Sequence, residues 1–210
     1  EVCASCHGLN RVAFRDLADL GYNEGQIKTL ASGWATETPS INPDTGEAAT
    51  RKSTAADKIP SPYANDIAAR AANNNAAPPD LSLIAKARHG GPQYIYSLLI
   101  GYQAPPAKLA KEFPDSMPGK TTHFNPYFAN LSLAMPAPLT ADGQVSYGEG
   151  APKPTVKQMA KDVSAFLTWA AEPKMMNRKA AGVPTLIFLL IFAGLCWASY
   201  QTIWADKKKK

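Results

Sequence analysis

Cys3, Cys6 and His7 stand at the front of the chain as Cys-x-x-Cys-His, within "EVCASCHGLN". Two thiols at this spacing sit on one turn at a vinyl-to-vinyl separation, and the histidine next in line is aimed at whatever they hold. The pattern is the attachment signature of a c-type haem, with one thioether from each cysteine and His7 as the proximal iron ligand. The same residue types could form half a zinc site or a redox dithiol. Zinc requires two further ligands, and His89, His123 and Cys196 are what remains, the last inside a long apolar run. A dithiol of the thioredoxin kind requires a βαβ surrounding that the sequence does not show. There is no second Cys-x-x-Cys-His, so one covalently attached haem c is expected. Such attachment normally requires export, and only two residues precede Cys3. The sequence is therefore expected to be a fragment without its true N-terminus.

The other face of the iron decides the chemistry. Left open, it would suit peroxide or small-ligand chemistry; closed by a methionine thioether, it favours electron transfer at a raised potential. Met175 and Met176 adjoin the apolar run, and Met159 lies on an amphipathic face where packing is the expected role. Met117 in "DSMPGK" and Met135 in "NLSLAMPAPL" both precede proline, which biases each towards an extended backbone able to present the side chain across a pocket. Spacing does not separate these two, although Met135 has the more apolar surroundings. His89 reads as a helix-end residue and His123 as a loop residue.

The elements that must position these groups read as mainly α. "NEGQIKTLASG" carries Asn23 as N-cap with Gln26 three residues on and Gly33 as the stop. "PPDLSLIAKARHGG" reads as a helix capped by Asp80 and ended by Gly90 and Gly91, and a further helix begins at Pro92. "TVKQMAKDVSAFLTWAAE" places Met159, Val163, Phe166, Leu167 and Ala170 on one face at helical spacing. The stretches 35–66 and 103–154 are rich in Pro, Asn and Thr and show no strong strand alternation.

Charge divides unevenly along the chain. Residues 173–210 hold seven basic side chains against one acidic, a net of +6, which leaves 1–172 at −1 with fifteen basic and sixteen acidic. Basicity confined to a tail argues against a nucleic-acid partner. Val183 to Trp204 contains no charged residue, and its 22 positions as a helix would rise roughly 33 Å, enough to cross a bilayer core. Trp197, Tyr200 and Trp204 suit a membrane interface. Basic residues flank both ends of the run, so haem attachment sets the orientation: haem domain exported, lysine tail in the cytoplasm. The expected organisation is a cytochrome c-type haem domain with long loops over 1–172, a basic juxtamembrane linker over 173–182, a transmembrane helix over 183–204 and a lysine tail over 205–210.

"CASCH", "PPDLSLIAKARHGGPQYIYSLLIGY", "FNPYFANLSLAMPAPL" and "KQMAKDVSAFLTWAAEPKMMNRK" followed by a single span resemble the cytochrome c1 family, the haem subunits of ubiquinol–cytochrome c oxidoreductase (the cytochrome bc1 complex). The resemblance covers the chain from Cys3 onward and is alphaproteobacterial in character. It implies Met135 as the sixth iron ligand, and Arg88 and Tyr94 at the haem propionates. It also implies Asn73, Pro79 and Phe128 around the haem, the last two as apolar cover only. The implied function is one-electron transfer from the Rieske iron–sulfur protein to a soluble cytochrome c, beside cytochrome b, in a bacterial inner membrane. The oxidoreductase activity belongs to the whole complex, and no bond chemistry to the subunit. A membrane-anchored haem enzyme with an open distal site is the reading of a different class, and a haem subunit of another reductase or oxidase shares the chemistry but not the partners. The chain departs from some bacterial relatives in lacking a cysteine pair that braces the loop before Met135, so order there is expected from packing by Phe124, Tyr127 and Phe128. Without the N-terminal helix that normally packs on Phe166 and Trp169, that face would lack its cover. Acidic residues in the loops, Glu37, Asp44, Glu47, Asp57 and Asp66, are candidates for meeting a basic partner.

Overall fold

The structure, a computed structural model, describes residues 2–207. It divides into two compact units, one up to Ala171 and the other from Glu172 onward. In chain order the first unit comprises β1 (Leu9–Ala13), α1 (Glu24–Ser32), β2 (Thr38–Ile41), β3 (Ala48–Arg51), β4 (Lys58–Ile59), α2 (Asp66–Ala72), α3 (Ile84–Ala87), α4 (Gly91–Ile100), α5 (Leu109–Glu112), β5 (His123–Phe124), β6 (Ser132–Leu133) and α6 (Val156–Ala171). The fold is mainly α, and its strands form three small antiparallel pairs: β1 with β4, β2 with β3, and β5 with β6.

Local signals set α1 as read. The Asn23 side chain accepts from Gln26 N while the Gln26 side chain accepts from Asn23 N, both at 2.9 Å. The helix over 80–90 is a correction. Only Ile84–Ala87 is helical, and its N-cap is Leu83, with no side-chain cap. Asp80 is occupied elsewhere: its carboxylate accepts from Asn10 N at 2.8 Å and Ser82 N at 2.9 Å. A long-range donor thus outcompetes the cap. Gly90, at φ +82°, precedes α4 instead of ending a longer helix.

α6 is the backbone of the core, and α3 and α4 pack against it. Met159, Leu167 and Ala170 are buried as its periodicity requires. One apolar cluster gathers Val12, Phe14, Leu17, Ile27, Ile59 and Ala170; a second gathers Ile95, Leu99, Ala160 and Leu167. Leu9 and Phe166 pack against both, so the strand that follows His7 is pinned between the two clusters. Phe166 and Trp169 are half-buried, with ring centroids 5.6 Å apart, and rest against the first cluster. The long loop before α6 is tied to it at two points. Asp142 accepts from Val156 N at the helix start, and the Tyr147 hydroxyl donates to Asp162, both at 2.7 Å. Burial and the Asp162 carboxylate push the Tyr147 phenol up to about 12.

In the second unit, α7 (Met175–Trp204) runs for 30 residues and is long and apolar enough to cross a membrane. It starts eight residues ahead of Val183, so 175–182 is helical. Pro184 lies inside it, and Thr185 returns a hydroxyl to Ala181 O at 2.8 Å where the helix passes the proline. Glu172 pairs with Arg178 at its head. Of the lysine tail, Lys208 to Lys210 lie outside the described residues.

Candidate haem site

Residues Cys3–Ser5 form a single 3-10 turn, with Cys6 N and His7 N both donating to Cys3 O, at 3.2 and 2.9 Å. This brings Cys3, Cys6 and His7 onto one short, half-buried surface. Both thiols are free, and burial pushes the Cys3 thiol above its ordinary range, so it stays protonated at neutral pH. His7 Nδ1 lies 2.7 Å from the carbonyl oxygen of Pro79. A carbonyl can only accept, so Nδ1 carries the proton and Nε2 keeps its lone pair.

Around that contact the chain forms a clip. Leu81 N donates to Gly8 O at 2.9 Å, Asn10 N to Asp80 at 2.8 Å, and Arg11 N to Ser82 Oγ at 3.1 Å. Ser82 is fully buried. Gly8 is buried too, and a Cβ there would come within 3.2 Å of an Asp80 carboxylate oxygen, so glycine permits the close approach. Pro79 therefore does more than provide apolar cover: its carbonyl orients the histidine. Asp80 and Ser82 were not foreseen, because nothing local in "PPDLS" points to a partner 70 residues away.

Met135 is half-buried two residues beyond β6, and its carbonyl accepts from the Tyr102 hydroxyl at 3.0 Å. Burial, with Tyr94 close by, pushes the Tyr102 phenol up. Tyr94, on α4, is half-buried against the second cluster, while Tyr102 and Met135 are joined directly by the hydroxyl–carbonyl bond. A cleft of about 410 Å³ opens beside them, lined by Tyr102, Pro118, Phe124 and Ala137 among others. The other methionines are placed differently. Met159 is core, Met176 is exposed on α7, and Met117 is exposed just after a 3-10 turn. His89 and His123 are exposed.

Arg88 is exposed between α3 and α4; its guanidinium donates to Ala87 O at 3.1 Å and meets no carboxylate among the described residues. Asn73, at the end of α2, spends its amide on Ala69 O at 2.7 Å and the Tyr63 hydroxyl at 3.0 Å. Tyr63 also lines a second cleft, of about 590 Å³, with Asn10, Glu37 and Ile59. Phe128 is half-buried in the β5–β6 loop, its N–H on Asn125 O at 3.1 Å. The contacts join His7 to Pro79 and, through Asn125, Phe128 to the β5–β6 hairpin that precedes Met135; Arg88 and Asn73 stand in separate local networks. Asn125, Tyr102 and Tyr63 were missed from the sequence. Only the Asn-Pro pair in "FNPY" offered a signal, and it reads as a turn.

The donor set fits a c-type haem: two free thiols on one turn, an imidazole with Nε2 unprotonated, and a soft thioether donor on a separate segment. Among the described residues no three His, Cys, Asp or Glu side chains converge as a metal cluster. Fold and motif together define the class, a c-type cytochrome domain followed by one apolar helix. The chain belongs to the cytochrome c1 family, whose model, described as "Cytochrome C1 family", matches residues 1–207. It is 46% identical to "Cytochrome c1" of Rhodospirillum rubrum, over 99% of this chain and 78% of that protein. It is 44% identical to "Cytochrome c1-2, heme protein, mitochondrial" of Solanum tuberosum, over 100% of this chain and 76% of that protein. A "Cytochrome b/c1" of Bradyrhizobium diazoefficiens is 43% identical over 98% of this chain, which spans 32% of that longer protein.

Proposed function

We infer that this chain is the membrane-anchored monohaem subunit of a cytochrome bc1 complex. It takes one electron from the Rieske iron–sulfur protein and passes it to a soluble cytochrome c. The observation that carries this reading is the Cys-x-x-Cys-His turn with His7 held by the Pro79 carbonyl, because it leaves one imidazole nitrogen free to bind iron. Family membership supports a place in the bc1 complex, and the relative with "Cytochrome b/c1" in its name supports cytochrome b as the neighbour.

The haem supplies a one-electron ferric/ferrous couple. Cys3 and Cys6 would hold it by thioethers, and His7 would ligate through Nε2 while the Nδ1–H bond to Pro79 fixes the ring. Met135 would supply the second protein ligand to the iron; a thioether there would stabilise the ferrous state, raise the potential and close the iron to small molecules. Arg88, which meets no carboxylate among the described residues, serves a propionate as a charge-assisted donor, and Tyr94 supports it from α4. Asn73, Pro79 and Phe128 complete the surroundings. In this reading the subunit carries electrons only, and the oxidoreductase activity belongs to the complex.

α7 is the anchor, single-pass in a bacterial inner membrane, with the haem domain periplasmic and the C-terminus cytoplasmic. Of the acidic loop residues proposed to meet a basic cytochrome, Asp57 is engaged by Arg51 and Glu37 accepts from Thr50. Asp44 and Glu47, between β2 and β3, and Asp66, at the start of α2 and not in a loop, are the other exposed candidates.

The test is Met135→Leu, which keeps volume and removes the thioether. The variant is expected to retain covalent haem, gain carbon monoxide binding, lose potential and stop accepting electrons from the Rieske centre, while Met117→Leu changes none of these. A Met135→Leu protein that stays low-spin and refuses carbon monoxide overturns the ligand assignment, whereas a parent protein that already binds carbon monoxide readmits an open-site haem enzyme.

A further inference from the structure

Resting on the reading of Met135 as the distal ligand, we propose that Asn125 is the positioning residue of the distal side. Its carboxamide fastens the β5–β6 hairpin to the C-terminal end of α4 and so fixes where Met135 is presented.

Asn125 has no exposed surface, and it is the only amide among the buried polar side chains of the described residues. A buried amide is costly unless its groups are paired. Here Nδ2 donates to Leu98 O at 2.8 Å and Oδ1 accepts from Tyr127 N at 3.1 Å. Its backbone is paired too: the N–H donates to Leu131 O at 3.0 Å, and the carbonyl accepts from Phe128 N at 3.1 Å. Three of these four bonds close the loop of the hairpin on itself. The fourth crosses to α4, at the Leu98 carbonyl in the last turn, which accepts from Gly101 N as well but only at 3.4 Å.

The same end of α4 grips the hairpin twice more. The Tyr127 ring lies so close to Gly101 that a Cβ there would stand 2.5 Å from its Cδ2. Beyond the second strand, the Tyr102 hydroxyl holds Met135 O. Leu98, Gly101 and Tyr102 therefore hold the segment on both sides of β6. Between the grips Leu131 sits at φ +63°, a left-handed conformation that persists only where neighbours enforce it. The hairpin cannot enforce it alone, since it has only two paired registers, His123 with Leu133 and Phe124 with Ser132. Ligation needs the thioether held to a fraction of an ångström, and α4 provides that reference through Asn125.

The experiment uses the full-length, haem-loaded protein and compares Asn125→Asp, Asn125→Ala and Tyr102→Phe with Met135→Leu. Asn125→Asp is near-isosteric and, in its ionised form, keeps the acceptor for Tyr127 N–H but has no hydrogen for Leu98 O. It is expected to keep its covalent haem, to exchange the Leu131 amide hydrogen about tenfold faster, the scale of one lost hydrogen bond, to lower the reduction potential and to admit carbon monoxide. Asn125→Ala should do the same more strongly, and Tyr102→Phe more weakly. An Asn125→Asp protein with the parent potential and no carbon monoxide binding overturns the proposal, whatever its stability. Failure of the underlying reading shows separately, as a Met135→Leu protein whose iron stays closed.

Discussion

The His7 imidazole donates through Nδ1 to the carbonyl oxygen of Pro79, 2.7 Å away and 72 residues further along the chain. This bond sets the tautomer of the ring, and the clip of Gly8, Asn10 and Arg11 against Asp80, Leu81 and Ser82 holds both ends of it in place. The orientation of the proximal ligand is therefore a long-range property of the fold.

Removing Ser82 Oγ tests the clip. Ser82 is fully buried and its hydroxyl is the acceptor for Arg11 N, so Ser82→Ala leaves a backbone N–H without its partner. The expected loss of stability is about 1–3 kcal/mol, the cost of an unsatisfied buried group. Urea unfolding of the haem-loaded variant measures it. A loss near zero would mean that the other contacts of the clip hold His7 without Ser82.

Attachment has its own test. Two free thiols on one turn provide for two thioethers, so haem should survive acid–acetone extraction and migrate with the polypeptide on a denaturing gel. Replacing Cys3 and Cys6 together by alanine should release it. Haem extracted from the parent protein would contradict the two-thioether site.

What the sequence made legible was local chemistry. The Asn23–Gln26 box, the apolar face of α6 and the Cys-x-x-Cys-His turn all depend on residues within a few positions of one another. Asp80 failed as a cap because its two carboxylate oxygens are used by Asn10 N and Ser82 N, and the first of these is a tertiary contact. The strands were invisible for a different reason. β4, β5 and β6 are two residues each, too short for alternation to register. β2 and β3 pair over four positions around "NPDTGE", where the turn residues were the available sign. On the distal side, packing of Phe124, Tyr127 and Phe128 was expected to order the loop; Phe124 is buried, Phe128 is half-buried and Tyr127 is exposed. The bond that crosses to α4, however, comes from Asn125, whose burial no local pattern encodes.

Asp57 gives a pH-dependent test. Arg51 meets it with two nitrogens, at 2.6 and 2.7 Å, and Thr54 adds its N–H and hydroxyl, both at 2.7 Å. These contacts, Arg51 foremost, hold the Asp57 carboxyl well below the usual carboxylate range. A carboxyl whose folded value is depressed contributes stability above its unfolded value near 3.9, and that contribution fades as pH falls towards the folded value. Asp57→Asn should cost about 1–2 kcal/mol at pH 7, discounted for the exposed Arg51. The gap between parent and variant should narrow steadily below about pH 4. Urea unfolding at several pH values checks it, and a gap that does not change with pH would remove the ion pair from the stability of the β3–β4 connection.

The anchor is tested by cutting the chain at the boundary the fold provides. The first unit closes on itself at Ala171, with its core contributed by α3, α4, α6 and the strands. α7 is the one helix among the described residues long and apolar enough to cross a membrane. Ending the chain at Lys174 should therefore release a haem-bearing domain into the soluble fraction, while the full-length chain stays with the membrane through carbonate and high-salt washing. The freed domain should keep the visible spectrum of the parent, because His7, Met135 and the residues that hold them all lie before the cut. Retention of the shortened chain on membranes after washing would show that α7 is not the sole attachment, and a changed spectrum would show that the second unit supports the haem site.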